Sequence, residues 1–379
     1  MKTEAAAVRA PAATAEPRHR QFRLGNRPPL TGIRGIGIAT ELIYHSNFKT
    51  LPGAWASLGL FFVLSGFLIT WMLSGEGRRT GKVNLRHFYE RRATRLLPPL
   101  LITSAGIVIY AAFVPVADAS QRVWGDIAAA LFYYADYRQA LGHAPFFGFL
   151  AQSWTLSVEE QFYVVWSVLM VAAVAIGRRR AAYLVAAVGL VASVVDRTWL
   201  ALAPRHFTHL DFGRAYYAFD SRADAIFLGC LLGLAASDGL LSEWGRAARR
   251  VLTVAAAASA ALLAWVILFV PLWTRSLLVL WMPASEVASA IVIVYFVVAP
   301  DSLGSRLVGL RPIVYVGNLS YSLYVVHFPV YLAISPGTMH WSYWPTEGLR
   351  MAVILAIVIP SWHFVERPLT RWRRRVLTV

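Results

Sequence analysis

The apolar stretch LTGIRGIGIATELIYHS, residues 30–46, carries three ionisable side chains, Arg34, Glu41 and His45. Ionisable groups inside a membrane span are costly and face a bundle interior or an aqueous cavity, so each is a candidate for function. Arg34 and His45 are eleven residues apart. At about 100° per residue they share one helix face, about 16 Å from each other. Glu41 precedes His45 by one turn on that face, where a carboxylate raises the basicity of the imidazole and fixes its tautomer. Such a histidine suits general-base work on a hydroxyl. Spacing alone leaves plainer roles open: a helix-to-helix hydrogen bond for His45, and for Arg34 a guanidinium that snorkels to the interface.

Other polar residues recur where lipid would disfavour them. Glu159 and Glu160 are adjacent in QSWTLSVEEQFY, residues 152–163, and at least one must point inward. Asp220, Arg222 and Asp224 read better as a structural ion-pair cluster than as a catalytic group. Tyr321, Ser322, Tyr324 and His327 form a polar stripe. Arg92 and Arg95, beside Arg91, make a basic ridge. Guanidinium pairs grip phosphates, although a positive anchor at the membrane surface is the blander role. The single cysteine, Cys230, excludes an internal disulfide framework and any cysteine-rich metal site.

The elements that must hold these residues follow from hydropathy. Of 379 residues, 58% are hydrophobic and only 15% charged, against roughly 45–50% and about 25% in soluble domains. Ten segments approach the 20 or so apolar residues that a spanning helix needs: 30–47, 55–74, 96–117, 153–176, 181–203, 220–237, 251–271, 276–299, 313–334 and 349–366. Residues 121–141 are amphipathic and read as an interfacial or re-entrant helix. The expectation is an all-α membrane protein of about ten transmembrane helices in one bundle. A disordered basic tail (1–28) precedes the membrane domain (29–368), and a basic cytoplasmic tail (369–379) follows it. With both termini in the cytoplasm, 26 of the 36 Lys and Arg fall in cytoplasmic segments and 6 in external ones, as the positive-inside rule requires. The net charge of +16 therefore reports topology, and no recognisable nucleic-acid module accompanies it.

Seven motifs then stand in order: the Arg34 to His45 span; LGLFFVLSGFLITWML (58–73); FYERRATRLLP (88–98); SWTLSVEEQFY (153–163); DSRADAIFLGCLLG (220–233); GNLSYSLYVVHFPV (317–330); and VERP (365–368). Together they resemble the acyltransferase type 3 family of integral membrane O-acyltransferases, over everything after the N-terminal tail. The resemblance implies transfer of an acyl group from cytoplasmic acyl-CoA to a hydroxyl of a sugar-bearing molecule. It implies His45 as the catalytic histidine, Arg34 as its partner, Arg92 and Arg95 in the acyl-CoA region, and Glu159 as the acid of the Trp-Ser-Leu-x-Val-Glu-type motif. Glu41 stands where the family usually has an aliphatic residue, and Thr155 where a serine more usually follows Trp154. Many relatives carry an extra-membrane hydrolase-like domain; the chain ends at Val379, and the expectation is that transfer finishes in the membrane body.

The expected reaction is direct transfer, with His45 taking the acceptor proton and Glu41 or Glu159 stabilising the imidazolium. Ser65, Trp154, Ser157 or Tyr324 would donate to the oxyanion. Arg92, Arg95 and Arg34 would hold the coenzyme diphosphates, and Ser65 is counted with them as coenzyme-binding. Acetyl-CoA is the expected co-substrate, without a metal. A covalent route through Ser65 or Cys230 lacks a base at an obvious spacing. The acceptor is a glycosylated small molecule such as a macrolide antibiotic, or alternatively an envelope or exported polysaccharide or its lipid-linked precursor. A transporter or flippase is the rival class, although no internal repeat supports it. The expected location is the bacterial cytoplasmic membrane, with no nucleic-acid partner.

Overall fold

Every expected apolar segment forms a helix in the computed structural model, which describes residues 27–114, 119–142, 148–242 and 244–376. Most of the expected N-terminal tail and the last three residues of the C-terminal one lie outside the described residues. The elements run α1 Pro28–Ser46, α2 Ala56–Thr80, α3 Leu85–Phe113, α4 Ala119–Leu131, α5 Ala135–Ala140, α6 Trp154–Ala175, α7 Arg179–Leu202, α8 His209–Tyr217 and α9 Phe219–Arg222. They continue with α10 Asp224–Ser237, α11 Arg246–Phe269, α12 Met282–Val298, α13 Leu303–Val308, α14 Arg311–Ala333, α15 Pro336–Met339, α16 Tyr343–Pro360 and α17 Arg367–Val376. Among the described residues no strand occurs.

Among the described residues eight stretches, those of α2, α3, α6, α7, α11, α12, α14 and α16, are long and apolar enough to cross a bilayer. The other two expected spans are α1, whose ionisable residues lower its hydropathy, and the 14-residue α10. The last stretch runs on through a π-helical turn, Ser361–Glu366, into α17, so it is longer than hydropathy suggested. Residues 121–141 do not span: α4 and α5 are separated by a turn in which Tyr133 adopts a φ of 54°. Gln161 of α6 donates to the Tyr133 carbonyl (2.8 Å) and to Asp136 Oδ1 (2.9 Å), pinning that turn to the bundle.

Sequence punctuation sets the ends. Pro28 and Pro29 open α1 in the first turn, where a missing N–H costs nothing. Gly81, at a φ of 71°, closes α2 in the left-handed geometry glycine tolerates. Asn84 caps α3 by accepting from the His87 N–H. The outer helices keep apolar faces toward lipid: Leu184, Val188, Val191 and Val195 of α7, at helical spacing, are all exposed.

The interior is held by close backbone approach, the means by which helices associate in lipid. α1 packs on α14 and α2 on α10. A Cβ on Gly317 would sit 2.0 Å from the Thr31 carbonyl oxygen, and one on Gly229 2.0 Å from that of Val63. Gly229→Ala is therefore expected to push α10 off α2 and cost about 1–3 kcal/mol. Thermal unfolding in detergent checks this, and an unchanged midpoint would show that the helix pair has room to spare.

Candidate active site

The expected site residues separate into two chambers that lie toward opposite ends of α1. The larger, about 390 Å³, receives Arg34 from α1, Ser65 from α2, Arg91, Arg92 and Arg95 from α3, and Glu159 from α6. The smaller, about 90 Å³, receives Glu41 and His45 from α1, and Trp154 from α6. Leu58 and Tyr324 line both, so their side chains form the wall between them. The Tyr324 hydroxyl donates to the Gln152 carbonyl (2.5 Å) and lies 2.7 Å from Thr155 Oγ1. Thr155, the departure from the family pattern, thus fixes the wall.

In the larger chamber the two carboxylates of α6 part ways. Glu159 accepts from Ser65 Oγ and from the Tyr163 hydroxyl, each at 3.1 Å. Glu160 takes the guanidinium of Arg92, whose Nε lies 2.9 Å from Oε1 and whose Nη2 is closer still. Arg92 also lies 3.6 Å from the centre of the Tyr163 ring, a cation–π contact. Its planar fork is therefore occupied within the protein. Arg95 is exposed toward the chamber and makes no ion pair among the described residues. Arg34 Nε, with Arg91 Nε and Nη2, is buried without a hydrogen-bond partner. Unsatisfied buried donors carry a desolvation cost that a bound anion removes. Arg91, named in the sequence only as the neighbour of the ridge, belongs to it; its position four residues before Arg95, on the same helix face, was the available signal.

In the smaller chamber Glu41 accepts from Ser57 Oγ (2.7 Å), and its Oε2 lies 3.8 Å from His45 Nδ1. A nearer partner was not given a role by the sequence: His327 Nε2 of α14 lies 3.1 Å from His45 Nδ1. The structure does not bring Glu159 to His45. It does supply what spacing could not show for Ser65, a carboxylate in contact. Ser157 is fully buried, bonded to Ala135 N and the Ser153 carbonyl, and is removed as an oxyanion donor. Cys230 is fully buried in α10.

Behind the smaller chamber lies a buried ion cluster. Arg197 of α7 is 2.5 Å from Asp224 and 4.0 Å from Glu286, and Arg222 is 3.5 Å from Glu286. Arg222 also sits 5.1 Å from the Tyr216 ring and 5.7 Å from that of Trp154, and both rings line the chamber. Asp220 turns away to pair with Arg214 at 2.6 Å. The structural role expected of this segment thus belongs to Arg222 and Asp224, with partners from α7 and α12. Among the described residues no group of three His, Cys, Asp or Glu could hold a metal ion.

A helical membrane bundle with an arginine-lined chamber against a histidine chamber is the arrangement found, and residues 44–364 match the acyltransferase-domain family. The chain belongs to that family. Among its relatives, peptidoglycan O-acetyltransferase OatA of Listeria monocytogenes is 25% identical over 357 residues, 91% of this chain and 56% of the relative. O-acetyltransferase OatA of Staphylococcus aureus is 25% identical over 360 residues, 91% of this chain and 57% of the relative. The chain thus spans little more than half the length of these curated relatives. No solved structure matches it. The family match includes His45, Ser65, Arg92, Arg95 and Glu159 and begins after Arg34 and Glu41.

Proposed function

We propose that this chain transfers an acyl group, acetyl above all, from acyl-CoA to a hydroxyl of a carbohydrate in the bacterial cytoplasmic membrane. The observation that carries this is the meeting of the two chambers at Leu58 and Tyr324. The unpaired guanidinium donors of Arg34 and Arg91, with exposed Arg95, suit the coenzyme's phosphates. Arg92, held by Glu160 and Tyr163, shapes that wall. The thioester then approaches the Leu58–Tyr324 wall from one side and the acceptor hydroxyl from the His45 side. His45 removes the hydroxyl proton as oxygen attacks the carbonyl; the tetrahedral adduct then collapses with cleavage of the C–S bond, and the proton passes from His45 to the departing thiolate, which leaves as free coenzyme A thiol. The resulting imidazolium has Glu41 Oε2 3.8 Å away. With the basic loops in the cytoplasm, the arginine chamber faces the coenzyme pool.

The relatives' names support a cell-wall glycan or its precursor over a macrolide, for which only composition speaks. Mass spectrometry of cell-wall glycan fragments incubated with the purified chain in nanodiscs and isotopically labelled acetyl-CoA tests the reading. Labelled O-acetyl product is expected; glycan movement without acylation would overturn the enzyme in favour of a transporter. In the same assay Arg95→Ala is expected to raise the KM for acetyl-CoA about tenfold, roughly one charge-assisted contact, with the acceptor KM unchanged. An unaltered coenzyme dependence would return Arg95 to the anchoring role.

A further inference from the structure

His327 is fully buried and stands between two groups. Its Nδ1 lies 3.0 Å from the carbonyl oxygen of Leu323, one turn back on α14, and its Nε2 lies 3.1 Å from His45 Nδ1. A carbonyl oxygen only accepts, and a neutral imidazole has one N–H and one lone pair. The His327 nitrogen facing Leu323 must therefore carry the proton, and the nitrogen facing His45 must be the acceptor. A doubly protonated His327 would place a charge in the bundle with no carboxylate within ion-pair distance among the described residues, which burial opposes strongly.

The same constraint passes to His45. Its nitrogen facing His327 meets a lone pair, so that nitrogen carries the proton, and the opposite nitrogen, Nε2, is left bare on a ring that lines the smaller chamber. We infer that His327 is the positioning residue for His45: it holds the base in the tautomer with Nδ1 protonated and Nε2 free to accept, using the Leu323 carbonyl as the fixed end of the chain. This role is the one a carboxylate plays behind the histidine of a Ser-His-Asp triad. Here a neutral imidazole plays it, anchored by a backbone group that cannot change its protonation. Glu41, whose Oε1 accepts from Ser57, is left to balance charge after the proton has moved. The inference rests on His45 being the base.

A neutral acceptor has a consequence of its own. When His45 takes the substrate proton at Nε2, the Nδ1–H to Nε2 bond becomes charge-assisted and shortens. His327 thus binds the imidazolium more tightly than the imidazole, which lowers the barrier without trapping the resting base.

The test uses the full chain in nanodiscs. In protein labelled with 15N-histidine, the resonance of His45, identified among the nine histidines by its loss in His45→Gln, is expected to show a protonated Nδ1 and an unprotonated Nε2. In His327→Phe it should become a mixture of tautomers. His327→Phe is expected to lower kcat about 10²-fold with the KM for acetyl-CoA unchanged. His327→Gln, whose amide oxygen can accept from Nδ1–H, should recover at least tenfold of that loss. Unfolding midpoints of both variants control for packing. Wild-type His45 protonated at Nε2, or a His327→Phe variant within twofold of wild-type kcat, would overturn the inference. If His45→Gln itself kept full activity, the fault would lie in the functional reading, because the tautomer measured on wild-type protein would stand regardless.

Discussion

Replacing His45 by alanine is expected to lower acyl transfer by about 10³-fold, within the range a general base supplies, while acetyl-CoA still binds. The expectation follows from placement. His45 belongs to the 90 Å³ chamber, and the groups suited to the coenzyme line the other one. Losing the imidazole should therefore strike kcat and spare coenzyme affinity. Glu41 could not take over: its Oε1 accepts from Ser57, and it stands one turn back along α1. Steady-state kinetics on the purified variant, with calorimetric titration of acetyl-CoA, separates the two effects. Transfer near the wild-type rate would remove the base and shift the chemistry to the larger chamber, where Ser65 contacts Glu159.

The second large effect concerns stability. Arg197 is fully buried between Asp224 and Glu286, and it also donates to the carbonyls of Leu278 and Ser221. Arg197→Leu leaves Asp224 without its ion-pair partner and Glu286 with Arg222 alone. Breaking a buried pair by removing one partner typically costs about 3–5 kcal/mol, whereas replacing both partners by apolar groups is often nearly neutral. The unfolding midpoint in detergent should therefore fall sharply in Arg197→Leu and recover partly in Arg197→Leu with Asp224→Leu. A double variant less stable than the single one would show that Asp224 has a partner other than Arg197.

The spans were legible because hydropathy is a local property and a bilayer imposes one length on every crossing. Even α10, too short to qualify by length, was marked by its run from Ala225 to Ala236. The faces of single helices were legible too, since Arg34, Glu41 and His45 needed only the helical period. Contacts between helices were not. His45 and His327 are 282 positions apart, and Ser65 and Glu159 are 94 apart. No periodicity within one segment fixes which face meets which neighbour; that is decided by the close approaches at Gly317 and Gly229. The Glu160 partner of Arg92 was out of reach for the same reason: it lies 68 residues away, and only packing shows that it claims the guanidinium.

The wall made by Leu58 and Tyr324 also bears on what the membrane loses to this protein. Two hollows reach toward each other from opposite ends of α1, and a continuous water file through them would conduct protons and small ions down their gradients. One leucine and one tyrosine, the latter tied through its hydroxyl to Gln152 and Thr155, complete the insulation. An acyl group can be handed across such a barrier because thioester and hydroxyl need only touch at its edge, while ions need an open path. Under the proposed function the electrical seal of the membrane and the place where thioester meets hydroxyl coincide, which limits how far this wall can be opened for a bulkier donor without a leak.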